Sequence, residues 1–192
     1  SQNSRYNAGF THMILWVDTD QSIPWSEMWD KTYPNLSEES RDWIWSKGNI
    51  LFDKLYTAYT TYVTGFSHGG EGVVNYIATY NLIKAADGKL NDYIAFEKNM
   101  KETLENNAPS LKGWHALTRN GSVARAQGAW DFMTIDNFAN IQDANKLWWT
   151  DIPQKIRQNN SKKHGNASDL RTIRYRVITR LIYDAKNGKF EN

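Results

Sequence analysis

Between Asn75 and Ile141 the chain alternates segments of two different periods, and that alternation limits the fold more than any other feature. Asn75-Tyr-Ile-Ala-Thr-Tyr-Asn-Leu-Ile83 reads as a strand and Asp87-Gly88 as a turn. An amphipathic stretch follows, then Trp114-His-Ala-Leu-Thr-Arg119, Gly128-Ala-Trp-Asp-Phe-Met133 and a second helical stretch. With a closing strand near the C-terminus, the order is β-α-β-β-α-β. Such an order buries one sheet face under helices, an α+β sandwich.

Val73–Ile83 is the first strand of this unit. Leu90–Glu105 is a helix with Leu90, Tyr93, Ile94, Glu97, Met100 and Leu104 on one side. Leu111–Arg119 is the second strand, closed by an Asn120-Gly121 turn. Ala126–Met133 is the third. Asp136 is placed to cap a helix from Asn137 to about Trp148. The polar tract Gln158–Asp169 reads as a surface loop, and Leu170–Tyr183 as the closing strand. Strict alternation there puts Ile173, Tyr175, Val177 and Thr179 on one side, with Arg174, Arg176 and Arg180 on the other.

Before this unit, residues 1–9 are polar and expected to be flexible, and residues 10–184 are read as one α+β domain. Phe10–Val17 is a strand candidate rich in β-formers. Pro24 opens a short helix over Trp25–Lys31. Ser37 is an N-cap, with Glu38 and Glu39 in the first turn of a helix to Lys47. Ile50–Val63 has helical spacing, while its Thr- and Tyr-rich half Thr57–Thr64 reads equally as a strand. Gly65–Gly72 is a glycine-rich loop. The helices make the N-terminal part an elaboration of the sandwich.

Composition removes several functions. In 192 residues, 23 basic and 21 acidic side chains leave a formal charge of +2, too balanced for a nucleic-acid binder. There is no cysteine, so disulfides, thiolate catalysis and thiolate-held metals are out. No run approaches the ~20 apolar residues of a membrane helix. Nine Trp and ten Tyr are many, and they belong in a core, an interface or a pocket lining. The Ser-Gln-Asn-Ser start and the Asn-, Thr- and Tyr-rich composition lead us to expect an exported, periplasmic or extracellular protein.

Residues 75–141 resemble the dimeric α+β barrel superfamily, which includes antibiotic-biosynthesis-type monooxygenases. Tyr80-Asn-Leu-Ile-Lys-Ala-Ala-Asp-Gly-Lys-Leu-Asn-Asp-Tyr93, Lys112-Gly-Trp-His-Ala-Leu117 and Ala129-Trp-Asp-Phe-Met-Thr-Ile-Asp-Asn-Phe138 carry the resemblance. The chain is also similar to exported bacterial proteins of that superfamily with no assigned role. The resemblance implies a ferredoxin-like sandwich, best matched over residues 73–184, and a homodimer. It covers about a third of the chain well and encodes a fold, not a chemistry.

Alternation sorts the candidate residues. His115, Leu117 and Arg119 share a face with Gln127 and Asp131, while Trp114, Ala116, Trp130 and Phe132 share the more apolar one. The apolar face should meet the helices, and the polar one the inside of a barrel or a partner sheet. His115 is then the candidate base, with Asp131 to orient it and Arg119 and Arg125 to hold an anion. The plainer alternatives are an interface histidine and an Asp131 ion pair with Arg119 or Arg125. Trp16, Tyr80, Trp114, Arg125 and Tyr175 are the candidate ligand-binding residues. No histidine pair, among His12, His68, His115 and His164, has metal-ligand spacing, so neither metal nor cofactor is expected. Gly69-Gly-Glu-Gly72 lacks the Gly-Lys-Ser/Thr ending of a phosphate loop.

Two functions fit. One is an enzyme or carrier that binds or transforms a small aromatic or apolar molecule in a barrel pocket. The other is a non-catalytic homodimeric binding or structural protein with a filled barrel. Neither involves nucleic acid or a membrane.

Overall fold

A computed structural model describes residues 37–51, 58, 60–68, 77–120, 130–147, 151–152, 154–181, 183–184 and 189–190. The chain divides into two compact units, one of residues 13–57 and one of residues 1–12 and 58–192. The described part of the first is α1 (Glu38–Leu51). Ser37 caps it as expected: its Oγ accepts from the Ser40 amide at 3.2 Å, satisfying a donor the first turn leaves open. The expected elements over Phe10–Val17 and Trp25–Lys31 lie outside the described residues.

The second unit holds β1 (Thr60–Ser67), β2 (Ile77–Ala85), α2 (Leu90–Asn107), β3 (Leu111–Arg119) and β4 (Phe132–Phe138). It continues with α3 (Ile141–Lys146), α4 (Gln154–His164), α5 (Ala167–Leu170) and β5 (Arg171–Arg180). Two short strands, β6 (Tyr183–Asp184) and β7 (Lys189–Phe190), pair separately. Among the described residues five strands form one antiparallel sheet in the order β1-β3-β4-β2-β5. Without β1, that order and the helices after β2 and β4 make the expected β-α-β-β-α-β ferredoxin-like sandwich. β1 adds a fifth strand at the β3 edge. Its β-branched Thr60, Thr61, Val63 and Thr64 favour a pleated strand over the helix that spacing also allowed.

The helices cover one face of the sheet. From α2, Tyr93, Phe96, Met100 and Leu104 are buried, and they meet Ile83 of β2, Trp114 of β3, and Phe132 and Phe138 of β4 in one core. Leu147 and Ile152, flanking the connection from α3 to α4, complete it. Trp114 is only 2% exposed, and Tyr93 and Phe132 are fully buried, the ring pair meeting edge to face at 5.0 Å. Asp151 fixes the entry to β3 by accepting from the Ser110 amide at 3.0 Å and from its hydroxyl.

Four expectations are corrected. The third strand runs over Phe132–Phe138, six residues later at its start than Ala126, and residues 121–129 lie outside the description. Asp136 therefore sits inside a strand, and Asn140 caps the next helix, its side chain accepting from the Asp143 amide at 2.8 Å. The apolar run Phe132-Met-Thr-Ile135 outweighs the capping tendency of an isolated Asp. The tract expected as a loop over Gln158–Asp169 is largely helical, in α4 and α5. Finally, β5 carries an irregularity opposite Leu82 and Ile83, which pair with Tyr175 and Ile173. Arg174 is the extra residue, so Ile173 and Arg176 fall on the same side.

Candidate functional site

A cavity of about 230 Å³ opens between the helices and the sheet. Asn81 and Ile83 of β2, Trp114 of β3, Thr134 and Asp136 of β4, and Arg171, Ile173 and Arg176 of β5 form its floor. α2 supplies Tyr93, Phe96, Glu97, Met100 and Leu104, and α4 supplies Arg157, Asn160 and Ser161. Exposed Arg157 and Arg176 mark the solvent side. The β5 irregularity has a direct effect here. It turns Arg176 toward Asn81, where its Nε donates to Asn81 Oδ1 at 2.7 Å.

The polar residues form two hydrogen-bonded sets, one around Asn81 and one of Tyr93 with Glu97. Asn81 Nδ2 donates to Thr134 Oγ1 at 3.0 Å and to Asp136 Oδ2 at 3.1 Å. The Tyr93 hydroxyl donates to Glu97 Oε1. The Arg171 guanidinium lies 5.8 Å from the centre of the Tyr93 ring. Among the described residues the Arg171 Nε is buried with no hydrogen-bond acceptor.

Burial dominates the protonation of the two carboxyls. Glu97 is pushed up to about 7 by burial and, further, by the Asp136 charge, against the lowering pull of the Tyr93 hydroxyl and Arg171. Asp136 is pushed up to about 6 by burial, against its Asn81 hydrogen bond and the charges of Arg176 and Arg171. Tyr93 rises well above its ordinary value, first through burial and then through Glu97. Both carboxyls thus titrate close to neutrality. Such a pair can take a proton from a bound molecule and return it.

The residues singled out from sequence are spread over both faces. Trp114 lines the cavity. His115 lies on the second face, half-buried, with its imidazole held below its ordinary value by burial and its ring 6.2 Å from Tyr62. It pairs with Ile135, four positions from Asp131. At ~3.3 Å per residue that separates them by roughly 13 Å along the strand, so the structure does not bring this pair together. Asp131 instead bridges to Lys84 at 2.8 Å and accepts from the Ala85 amide at 3.2 Å. The Arg119 guanidinium stacks over Trp130 at 4.9 Å. Tyr80 and Tyr175 are on the second face, Tyr80 buried and raised by that burial. Trp16 and Arg125 lie outside the described residues.

The cavity's own polar residues were missed from sequence, except that Glu97 stood in the apolar row of α2. A carboxylate among Tyr93, Met100 and Leu104 is the one signal that pointed here. Among the described residues no cluster of three or more His, Asp or Glu is arranged to hold a metal ion, and no helix is long and apolar enough to cross a membrane.

No family model and no curated protein matches the chain. Among solved structures it is similar to a proposed monooxygenase from Lactobacillus acidophilus NCFM, at 9% identity and a TM-score of 0.49. The match covers 75% of this chain and 60% of that one.

Proposed function

We propose that the chain binds a small, single-ring-sized aromatic or apolar molecule in the cavity beneath α2 and exchanges a proton with it through Glu97 and Asp136. The observation that carries this reading is a pair of buried carboxyls, raised to about 7 and about 6, in a cavity lined also by Trp114 and Phe96. The size supports a small ligand, since a dry cavity of ~150 Å³ already admits benzene. A filled scaffold predicts no concave polar cluster, and the lining of this cavity by Asn81, Glu97 and Asp136 favours the ligand reading over it.

The test is calorimetry of a single-ring phenol in two buffers of different ionisation enthalpy near neutral pH. The reading predicts binding with buffer-dependent heat, the mark of proton exchange, and a smaller dependence in Glu97→Gln. Equal heats in both buffers would remove the acid–base role.

A homodimer belongs to the same proposal. Tyr62 on β1 and Ile178 on β5 are each 58% exposed, on the two outermost strands among the described residues. Tyr80, Leu82, Met133 and Ile135, in the middle of the second face, are buried within one chain. The dimer we infer therefore joins through strand edges and not through the middle of the sheet. Light scattering after size exclusion should give twice the chain mass; a monomer at all concentrations would reject it. Export is also inferred, from composition alone. Fractionation of the producing cells tests it, and a purely cytoplasmic pool would count against it.

A further inference from the structure

We propose that the molecule bound in this cavity is a small aromatic carboxylate and that Arg171 receives its carboxylate group. This rests on the reading of the cavity as a ligand site and adds the ligand's charge and its anchor.

Among the described residues three arginines line the cavity, Arg157, Arg171 and Arg176, against two acids, Glu97 and Asp136. Among these, Arg176 already spends its Nε on Asn81. Arg171 lines the cavity with its guanidinium hydrogen-bonded to the Tyr93 hydroxyl and close to Glu97, and its buried Nε donates to nothing among the described residues. A buried donor left without an acceptor costs stability, and native chains rarely keep one without a use. The acceptor it lacks is matched by a carboxylate, whose two oxygens fit the fork of a guanidinium. The charge balance agrees. Burial holds both acids toward their protonated forms, which leaves the arginine charges in excess around neutral pH. The rest of the lining sets the ligand's other end. Ile83, Phe96, Met100, Trp114 and Ile152 offer apolar and aromatic surface to a ring. The volume of about 230 Å³ holds one ring and a short acid-bearing arm.

A matched probe pair decides the matter. Phenylacetate and phenylacetamide have nearly the same shape and differ in charge. Their affinities are measured by ligand-observed NMR for the wild-type chain, Arg171→Met and Arg171→Lys. The proposal predicts that phenylacetate binds at least about tenfold tighter, the scale of one charge-assisted hydrogen bond. Arg171→Met should erase that gap, and Arg171→Lys should fall between. Equal affinities of the two probes for the wild-type chain would overturn the anion assignment and leave the cavity reading intact. A gap that survives Arg171→Met in a folded variant would overturn the role of Arg171. Binding of neither probe would overturn both readings. The wild-type comparison stands even if a variant fails to fold.

Discussion

Glu97 and Asp136 keep their protons to higher pH in the folded chain than in the unfolded one, about 7 against 4.5 and about 6 against 3.8. The folded state therefore binds more protons through this window, and stability must fall as pH rises across it. His115 acts in the opposite sense: burial lowers its pKa, so its contribution is lost as pH falls below the ordinary imidazole value. Among the described residues two carboxyls against one imidazole leave a net loss on going from acid to neutral. We predict that the stability lost between about pH 5 and about pH 8 shrinks by on the order of 2 kcal/mol in Glu97→Gln. Urea unfolding at the two pH values measures it, and an unchanged loss would show that Glu97 is not raised. Residue chemistry was the least legible level in the sequence. Glu97 showed itself as a charge in an apolar helical row. Asp136 looked like a cap because the strand before it runs six residues later than its composition suggested. Arg176 was placed on the side opposite Ile173, because a single-residue irregularity leaves no local mark in the sequence.

Strands and helices were far more legible, because side-chain period and turn chemistry are local. α2 and β3 stand where the spacing put them, and Gly88 takes the positive φ of 71° that its turn requires. β1 was ambiguous for a physical reason: Thr and Tyr at mixed spacing satisfy both periods, and pairing with β3 decides between them. That pairing depends on Gly65. A Cβ there would collide with the Trp114 carbonyl oxygen and lie 2.7 Å from His115 Nδ1. Backbone cannot yield as a flexible side-chain end can. Gly65→Ala should therefore push β1 away from β3 and cost on the order of 2 kcal/mol or more. Thermal unfolding reads the loss; a variant as stable as the parent would mean that β1 does not pack this closely. The β5 irregularity belongs to this scale too. It lies in an edge strand, where one extra residue is tolerated, and it brings Arg176 onto the cavity side.

At the scale of the whole molecule, strand order follows from element order once the sheet must bury one face under helices. The ferredoxin-like arrangement was readable for that reason. The choice of face for the chemistry was not. Alternation correctly separated Trp114 from His115, but it does not say which face keeps an unfilled volume. That depends on how helices sit on a sheet, a matter of long-range packing. In this structure the volume is on the Trp114 side, with the buried acids and arginines around it. The most direct test maps a set of single-ring aromatic fragments onto the folded chain by amide chemical-shift changes in 15N-labelled protein. Changes should cluster on Tyr93–Leu104, Thr134–Asp136, Arg157–Ser161 and Arg171–Arg176. Changes clustered instead around His115, Arg119 and Tyr80, on the second face, would contradict the cavity reading.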